Sequence, residues 1–208
     1  ALRLDYRHSV NEIINFNPRI ACFVVYGQQP SASSQNMEGA IAISKILKKT
    51  KPEIKILFVG GHVAALPTET LEKENSVDII ALNEGAYSIS NLLEVENLDD
   101  YTYLKKVKGI GFRDEEKKII LTNPENIIPK NSLEKDLPGV AWDLLPNLSS
   151  YRTAGWHSWT NNSDKQPFAA FYTSLGCPYK CSFCMINIIN RTNNSQNISS
   201  KNSNIFRW

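Results

Sequence analysis

No apolar run in this 208-residue chain is long enough to span a bilayer; the longest, such as "IKILFVG" (54–60), stop at a third of the required length. A surplus of either charge is also missing. Lys plus Arg (23) nearly balances Asp plus Glu (21), which leaves no electrostatic footprint for nucleic acid or an anionic membrane. Cysteine is scarce: there are four, three of them inside 177–184, which is not the pattern of a secreted disulfide framework. A reducing, cytoplasmic setting is expected. The start "ALRLDYRHSV" lacks both an initiator Met and the basic-then-apolar form of a secretory signal. The sequons, such as Asn161–Ser163, then reflect only an Asn-rich composition. Neither Gly-x-Gly-x-x-Gly after the first strand nor Gly-Lys-Ser/Thr occurs, so the two common nucleotide cradles are missing.

What is present is a repeated strand–helix order. "RIACFVVYG" (19–27), "EIKILFVGG" (53–61) and "VDIIALNEG" (77–85) are Ile- and Val-rich and mostly continuous, as strands buried on both faces should be. Between the first two, "NMEGAIAISKILKK" sets Met37, Ala40, Ile41 and Leu47 at helical spacing and ends on lysines, where the helix dipole favours them. "PTETLEKEN" (67–75) suits a short helix opened by Pro67, and "AYSISNLLEVEN" (86–97) reads as another. Right-handed crossovers then predict an α/β, Rossmann- or flavodoxin-like doubly wound parallel sheet over residues 1–124. Within it, 107–122 reads as a hairpin around Asp114–Glu116. Residues 125–165 carry prolines without a sustained period and read as an ordered linker. "PFAAFYTSLGC" (167–177) looks like a new buried strand that opens a second domain, 166–208, whose tail (190–204) is polar and loop-like. Both ends of the chain read as cut.

All three strands of the first domain finish on glycine: Tyr26–Gly27, Gly60–Gly61 and Glu84–Gly85. Ligands of open parallel sheets bind beyond the carboxyl ends of the strands, so these tips line one candidate edge. Glycine there lets a ligand approach the backbone, and the neighbouring Gln28, Ser31 and Ser33 suit a broad, largely uncharged ligand. The plainer alternative is that glycine ends strands because turns need it. His62, after the Gly-Gly pair, is a candidate ligand or a locally hydrogen-bonded histidine.

"LGCPYKCSFC" (175–184) places Cys177, Cys181 and Cys184 as Cys-x3-Cys-x2-Cys on a loop directly after a strand. Thiolates at such spacing select iron–sulfur clusters, zinc or copper. Structural zinc wants a fourth protein ligand. Cys22, mid-strand in the first domain, reads as a small buried hydrophobe, and nothing in its spacing recommends His157. Without a fourth ligand, a cubane cluster keeps one iron open. An iron–sulfur electron-transfer module and a zinc-stabilised α/β binding module stand as the alternatives to an enzyme.

"CPYKCSFC", with Phe183 in the aromatic place before Cys184, resembles the cysteine loop of radical S-adenosylmethionine enzymes. "ILFVGGHVAALPTETL" and "VDIIALNEGAYSISNLL" are similar to the Gly-Gly strand and the acidic Gly-rich strand of the cobalamin-binding domain fused to one branch of that family. "SLEKDLPGVAWDLLP" resembles the join between the two domains. Where the family more often has Gly-Glu-Gly-Glu, this chain reads Asn83–Glu84–Gly85–Ala86, so the second acid is missing.

The resemblance implies a cobalamin-binding domain lacking its first strand, followed by the opening strand of a partial (β/α) barrel. Cys177, Cys181 and Cys184 would hold a 4Fe-4S cluster, with S-adenosylmethionine on the open iron and beside Phe183. Cobalamin would lie at Tyr26, Gly27, Gly60, Gly61, His62, Glu84 and Gly85. The implied activity is reductive cleavage of S-adenosylmethionine, for methyl transfer or carbon-skeleton modification of a small-molecule substrate. A low-potential electron donor such as flavodoxin or ferredoxin is the implied partner. Tyr151, Trp156, His157 and Trp159 could face the seam or simply pack the linker.

Overall fold

The computed structural model describes residues 4–26, 32–129, 132–137 and 141–151, with the short segments 174–175 and 204–205. The chain opens with α1 (Tyr6–Phe16), which the sequence reading did not anticipate. Asp5 caps it by accepting the His8 amide at 2.8 Å, and Asn17 closes it in the left-handed region at φ 46°.

Three parallel strands follow: β1 (Ile20–Val24), β2 (Lys55–Val59) and β3 (Ile79–Ala81), adjacent in that order. Between them come α2 (Ala32–Thr50), then α3 (Gly61–Ala65) and α4 (Pro67–Lys73). After β3 come α5 (Ala86–Leu93) and α6 (Tyr101–Leu104). The expected hairpin is present as β4 (Ile110–Arg113) and β5 (Ile119–Leu121), turned at Asp114–Lys117. It pairs antiparallel onto β3 and completes a five-stranded sheet in sequential order. The sheet is therefore mixed, not wholly parallel.

Strand pleating divides the core in two. Ile56, Phe58 and Ile80 face a cluster with Val10 of α1, Met37, Ile41 and Leu47 of α2, Val63 of α3 and Leu71 of α4. Leu57, Val59, Ile79 and Ala81 face Leu92 of α5, Leu104 of α6 and Phe112 of β4. β2 and β3 are covered on both faces, which is why they read as unbroken apolar runs. Full burial of a side chain such as Phe58 stabilises the fold by about 1.5–3 kcal/mol. Arg19 fastens the far end of α5 by donating to the carbonyls of Leu93, Val95 and Glu96.

β1 differs. It is the edge strand, and Cys22 and Val24 are exposed on its outward face. The expectation that Cys22 is buried is corrected here: it is exposed, on a strand with a neighbour on one side only. Enough chain surrounds its thiol to push it up to about 11 all the same.

Beyond the sheet, α7 (Leu133–Asp136) and two 3-10 turns, Trp142–Leu144 and Leu148–Ser150, punctuate the linker. Ser174–Leu175, inside the strand expected over 167–177, pairs antiparallel with Asn204–Ile205. The rest of that expected strand and of the polar tail lies outside the described residues. Among the described residues, no helix is long and apolar enough to cross a membrane.

Candidate functional site

The carboxyl ends of β1, β2 and β3 lie side by side, held in register by Val24 opposite Val59 and Phe58 opposite Ile80. The Val25 amide extends the ladder by donating to the Val59 carbonyl at 2.7 Å. The strand tips thus bring Tyr26, Gly60, Gly61, His62, Glu84 and Gly85 to one edge, as the sequence predicted. Gly27, Gln28, Ser31, Phe183 and the three clustered cysteines lie outside the described residues, as do Trp156, His157 and Trp159.

Two of the glycines serve the protein's own backbone. At Gly60 the chain passes so close to β1 that a Cβ would lie 2.1 Å from the Val25 carbonyl oxygen. Gly85 caps α5 at φ 88°, and a Cβ there would lie 2.8 Å from Val59 Cγ1. The plainer reading of strand-end glycine therefore accounts for both, whether or not a ligand lies against them.

Side-chain chemistry at the edge is sparse. Tyr26 is half-buried against the α5 face of the sheet, and its carbonyl accepts Asn36 Nδ2 at 3.0 Å, which ties β1 to the first turns of α2. His62 Nδ1 lies 2.9 Å from Ser34 Oγ, a bond that joins α3 to α2. If Ser34 accepts, the opposite ring nitrogen, Nε2, is left as a lone-pair donor; if Ser34 donates, Nε2 carries the proton.

Glu84 is the one carboxylate among these tip residues. Its Oε1 accepts the Ile128 amide at 2.8 Å, whereas Oε2 is buried and has no hydrogen-bond partner among the described residues. Burial pushes this carboxyl above the usual range, opposed by the Ile128 N–H.

Asn83 was missed by the sequence reading. It is buried; Oδ1 accepts the Gly85 amide at 2.9 Å, and Nδ2 donates to the Glu125 carbonyl at 3.3 Å. Its sequence signals were a polar residue at the end of an apolar strand and an Asn where a glycine is more usual, and neither was read as a role.

The edge is thus nearly neutral, with one orphaned acceptor and one imidazole. A ligand group that donates an N–H fits Glu84 Oε2, which has unused capacity to accept among the described residues. Among the described residues, no group of three or more His, Cys, Asp or Glu side chains is placed to hold a metal ion.

No family model matches the chain. It is 27% identical over 154 residues to an uncharacterized methyltransferase of Pyrococcus horikoshii, covering 74% of this chain and 30% of that protein. It is 24% identical over 149 residues to the cobalamin-dependent radical SAM methyltransferase TokK of Streptomyces tokunonensis, covering 72% and 20%. Its relatives include a cobalamin-dependent radical SAM methyltransferase. A third, 2-(S-pantetheinyl)-carbapenam-3-carboxylate methyltransferase of Streptantibioticus cattleyicolor, is 23% identical over 149 residues, covering 72% and 20%. The chain thus spans 20 to 30% of the length of these relatives. Among solved structures, the cobalamin-dependent S-adenosylmethionine radical enzyme OxsB, with aqua-cobalamin and S-adenosylmethionine bound, superposes at a TM-score of 0.42. The identity is 17%, over 65% of this chain and 19% of that one.

Proposed function

We propose that this chain is part of a cobalamin-dependent radical S-adenosylmethionine enzyme that transfers methyl groups to, or modifies the carbon skeleton of, a small-molecule substrate. The observation that carries the reading is Cys177-x3-Cys181-x2-Cys184 in a chain similar over 72% of its length to an enzyme of that description. The two rival modules, electron transfer and zinc-stabilised binding, are less well supported, because the relatives are named as methyltransferases.

In this reading Cys177, Cys181 and Cys184 hold a 4Fe-4S cluster as thiolates, and Phe183 flanks S-adenosylmethionine. Three thiolate ligands would leave the cluster a position open to the cosubstrate. When bound, the cluster and cosubstrate supply one-electron reductive chemistry, and the corrinoid supplies a methyl carrier. The first domain's part is binding and orientation. Strand tips 26, 60–62 and 84–85 offer an edge with few charges, and Glu84 Oε2 would accept an N–H that otherwise loses its partner on leaving water. The electron would come from a low-potential donor of the flavodoxin or ferredoxin kind, and the clustered cysteines fit a reducing, cytoplasmic setting.

The test is anaerobic reconstitution of the full-length protein with iron, sulfide and hydroxocobalamin, followed by electron paramagnetic resonance and absorption spectroscopy. A cluster signal that changes on adding S-adenosylmethionine, with a protein-bound corrinoid spectrum, is expected. Stoichiometric zinc in anaerobically purified protein, or a cluster indifferent to S-adenosylmethionine, would overturn the reading.

A further inference from the structure

Residues 125–129 and 132–136, expected as the start of a linker, do not leave the sheet freely. The Glu125 carbonyl accepts Asn83 Nδ2, and its carboxylate accepts Asn91 Nδ2 of α5 at 2.9 Å. Three residues on, Ile128 is 1% exposed and its amide is held by Glu84 Oε1. At the far end, the Tyr87 hydroxyl donates to Asp136 Oδ2 of α7. Glu84, Tyr87 and Asn91 are spaced three and four apart, so one side of α5 and its cap faces this segment.

We propose that Glu84 and Tyr87 are positioning residues that strap residues 125–129 and 132–136 to the carboxyl edge of β3 and to α5, and so fix where the chain bearing the cysteine loop departs from the sheet. A loose linker would let the second domain sample many placements. A strap fastened at Glu84 and again at Tyr87 removes that freedom before the linker proper begins. Glu84, whose place in the motif suggested contact with a ligand, is assigned to the protein's own chain through Oε1. The strap stands on its own geometry; only its consequence, the alignment of two cofactors, rests on the reading above.

The experiment is hydrogen–deuterium exchange on the full-length protein with no cofactor added, so its outcome is independent of cluster or corrinoid. Glu84→Ala should raise exchange of the Ile128 amide about tenfold or more, the loss expected of a charge-assisted hydrogen bond. Glu84→Gln keeps an acceptor oxygen and should stay within about threefold of the parent, a rescue that mere loss of packing would not give. The Phe58 and Ile80 amides report whether the sheet is intact. Should Glu84→Ala unfold it, Tyr87→Phe decides, through faster tryptic cleavage at the exposed Lys135. Unchanged Ile128 protection in Glu84→Ala, or unchanged cleavage in Tyr87→Phe, would overturn the strap. A strap that holds in a protein binding no corrinoid would instead count against the functional reading alone.

Discussion

Gly60 and Val25 are in such close backbone contact that a methyl group on Gly60 would lie 2.1 Å from the Val25 carbonyl oxygen. Backbone atoms cannot swing aside as a flexible side chain can. Gly60→Ala should therefore force β1 and β2 apart at their tips and cost about 3 kcal/mol or more. Denaturant unfolding of the variant checks this. A midpoint equal to the parent's would show that the tips are more pliant than the packing implies. A loss of ligand binding in such a variant would therefore have to be read against its loss of stability.

Asn83 bridges the turn into α5 and the strap by one acceptor and one donor. Asn83→Asp keeps the acceptor but loses the donor, leaves the Glu125 carbonyl short of a partner and buries a charge. A loss of about 1–3 kcal/mol is expected. Asn83→Ala should cost a similar amount, since it frees the Gly85 amide as well. A variant with parental stability would mean that water replaces both bonds.

Burial raises the Glu84 carboxyl above its unfolded value, so ionising it in the folded protein carries a penalty. The sign follows directly. Below the unfolded value, near 4.3, both states are protonated and the penalty is nil; it grows as pH rises and is complete above the raised folded value. Glu84→Gln should thus match the parent near pH 4 and exceed it in stability near pH 8, measured as the gap between unfolding midpoints. A gap that shrinks with rising pH would reverse the argument.

Cys22 is exposed, yet its thiol is pushed up to about 11. In a variant with Cys177, Cys181 and Cys184 replaced by Ser, iodoacetamide should label folded protein at Cys22, but slowly at pH 7. Because the thiolate is the nucleophile, the rate should climb about tenfold per pH unit up to pH 10. A plateau near pH 8.5 would mean an ordinary, fully solvated thiol.

Much of this fold was legible because β2 and β3 are buried on both faces. Ile56–Val59 and Ile79–Ala81 therefore show as unbroken apolar runs. The Met37, Ile41 and Leu47 spacing announced α2 for the same reason: one stripe is buried. α1 escaped because Val10 is its one fully buried residue and Phe16 stands out into solvent at 83% exposure. The edge status of β1 could not be read, since a strand's neighbours are set by the whole sheet and its own residues are as apolar as those of β2. The candidate edge was found from its glycines. Their reason was not, because the Gly60–Val25 contact joins residues 35 apart in sequence. The strap was equally hidden: Asn83 to Glu125 and Glu84 to Ile128 are polar contacts spanning more than 40 residues, with no periodicity to betray them.

The cysteine loop offers the most discriminating substitution series. Three soft ligands at fixed spacing act together, so removing any one should release the metal rather than weaken it by a third. Anaerobically reconstituted full-length protein should hold about four irons per cluster, and Cys177→Ala, Cys181→Ala or Cys184→Ala should each lose most of them. Cys22→Ala should leave iron unchanged, because Cys22 sits on the outward face of β1 with a thiol poorly disposed to ionise, whereas a cluster ligand must be a thiolate. Iron analysis with labile-sulfide determination reads all four variants in one experiment. Loss from Cys22→Ala equal to the others would make it a fourth ligand. The iron left open for S-adenosylmethionine would then be closed, and an electron-transfer module would become the better reading.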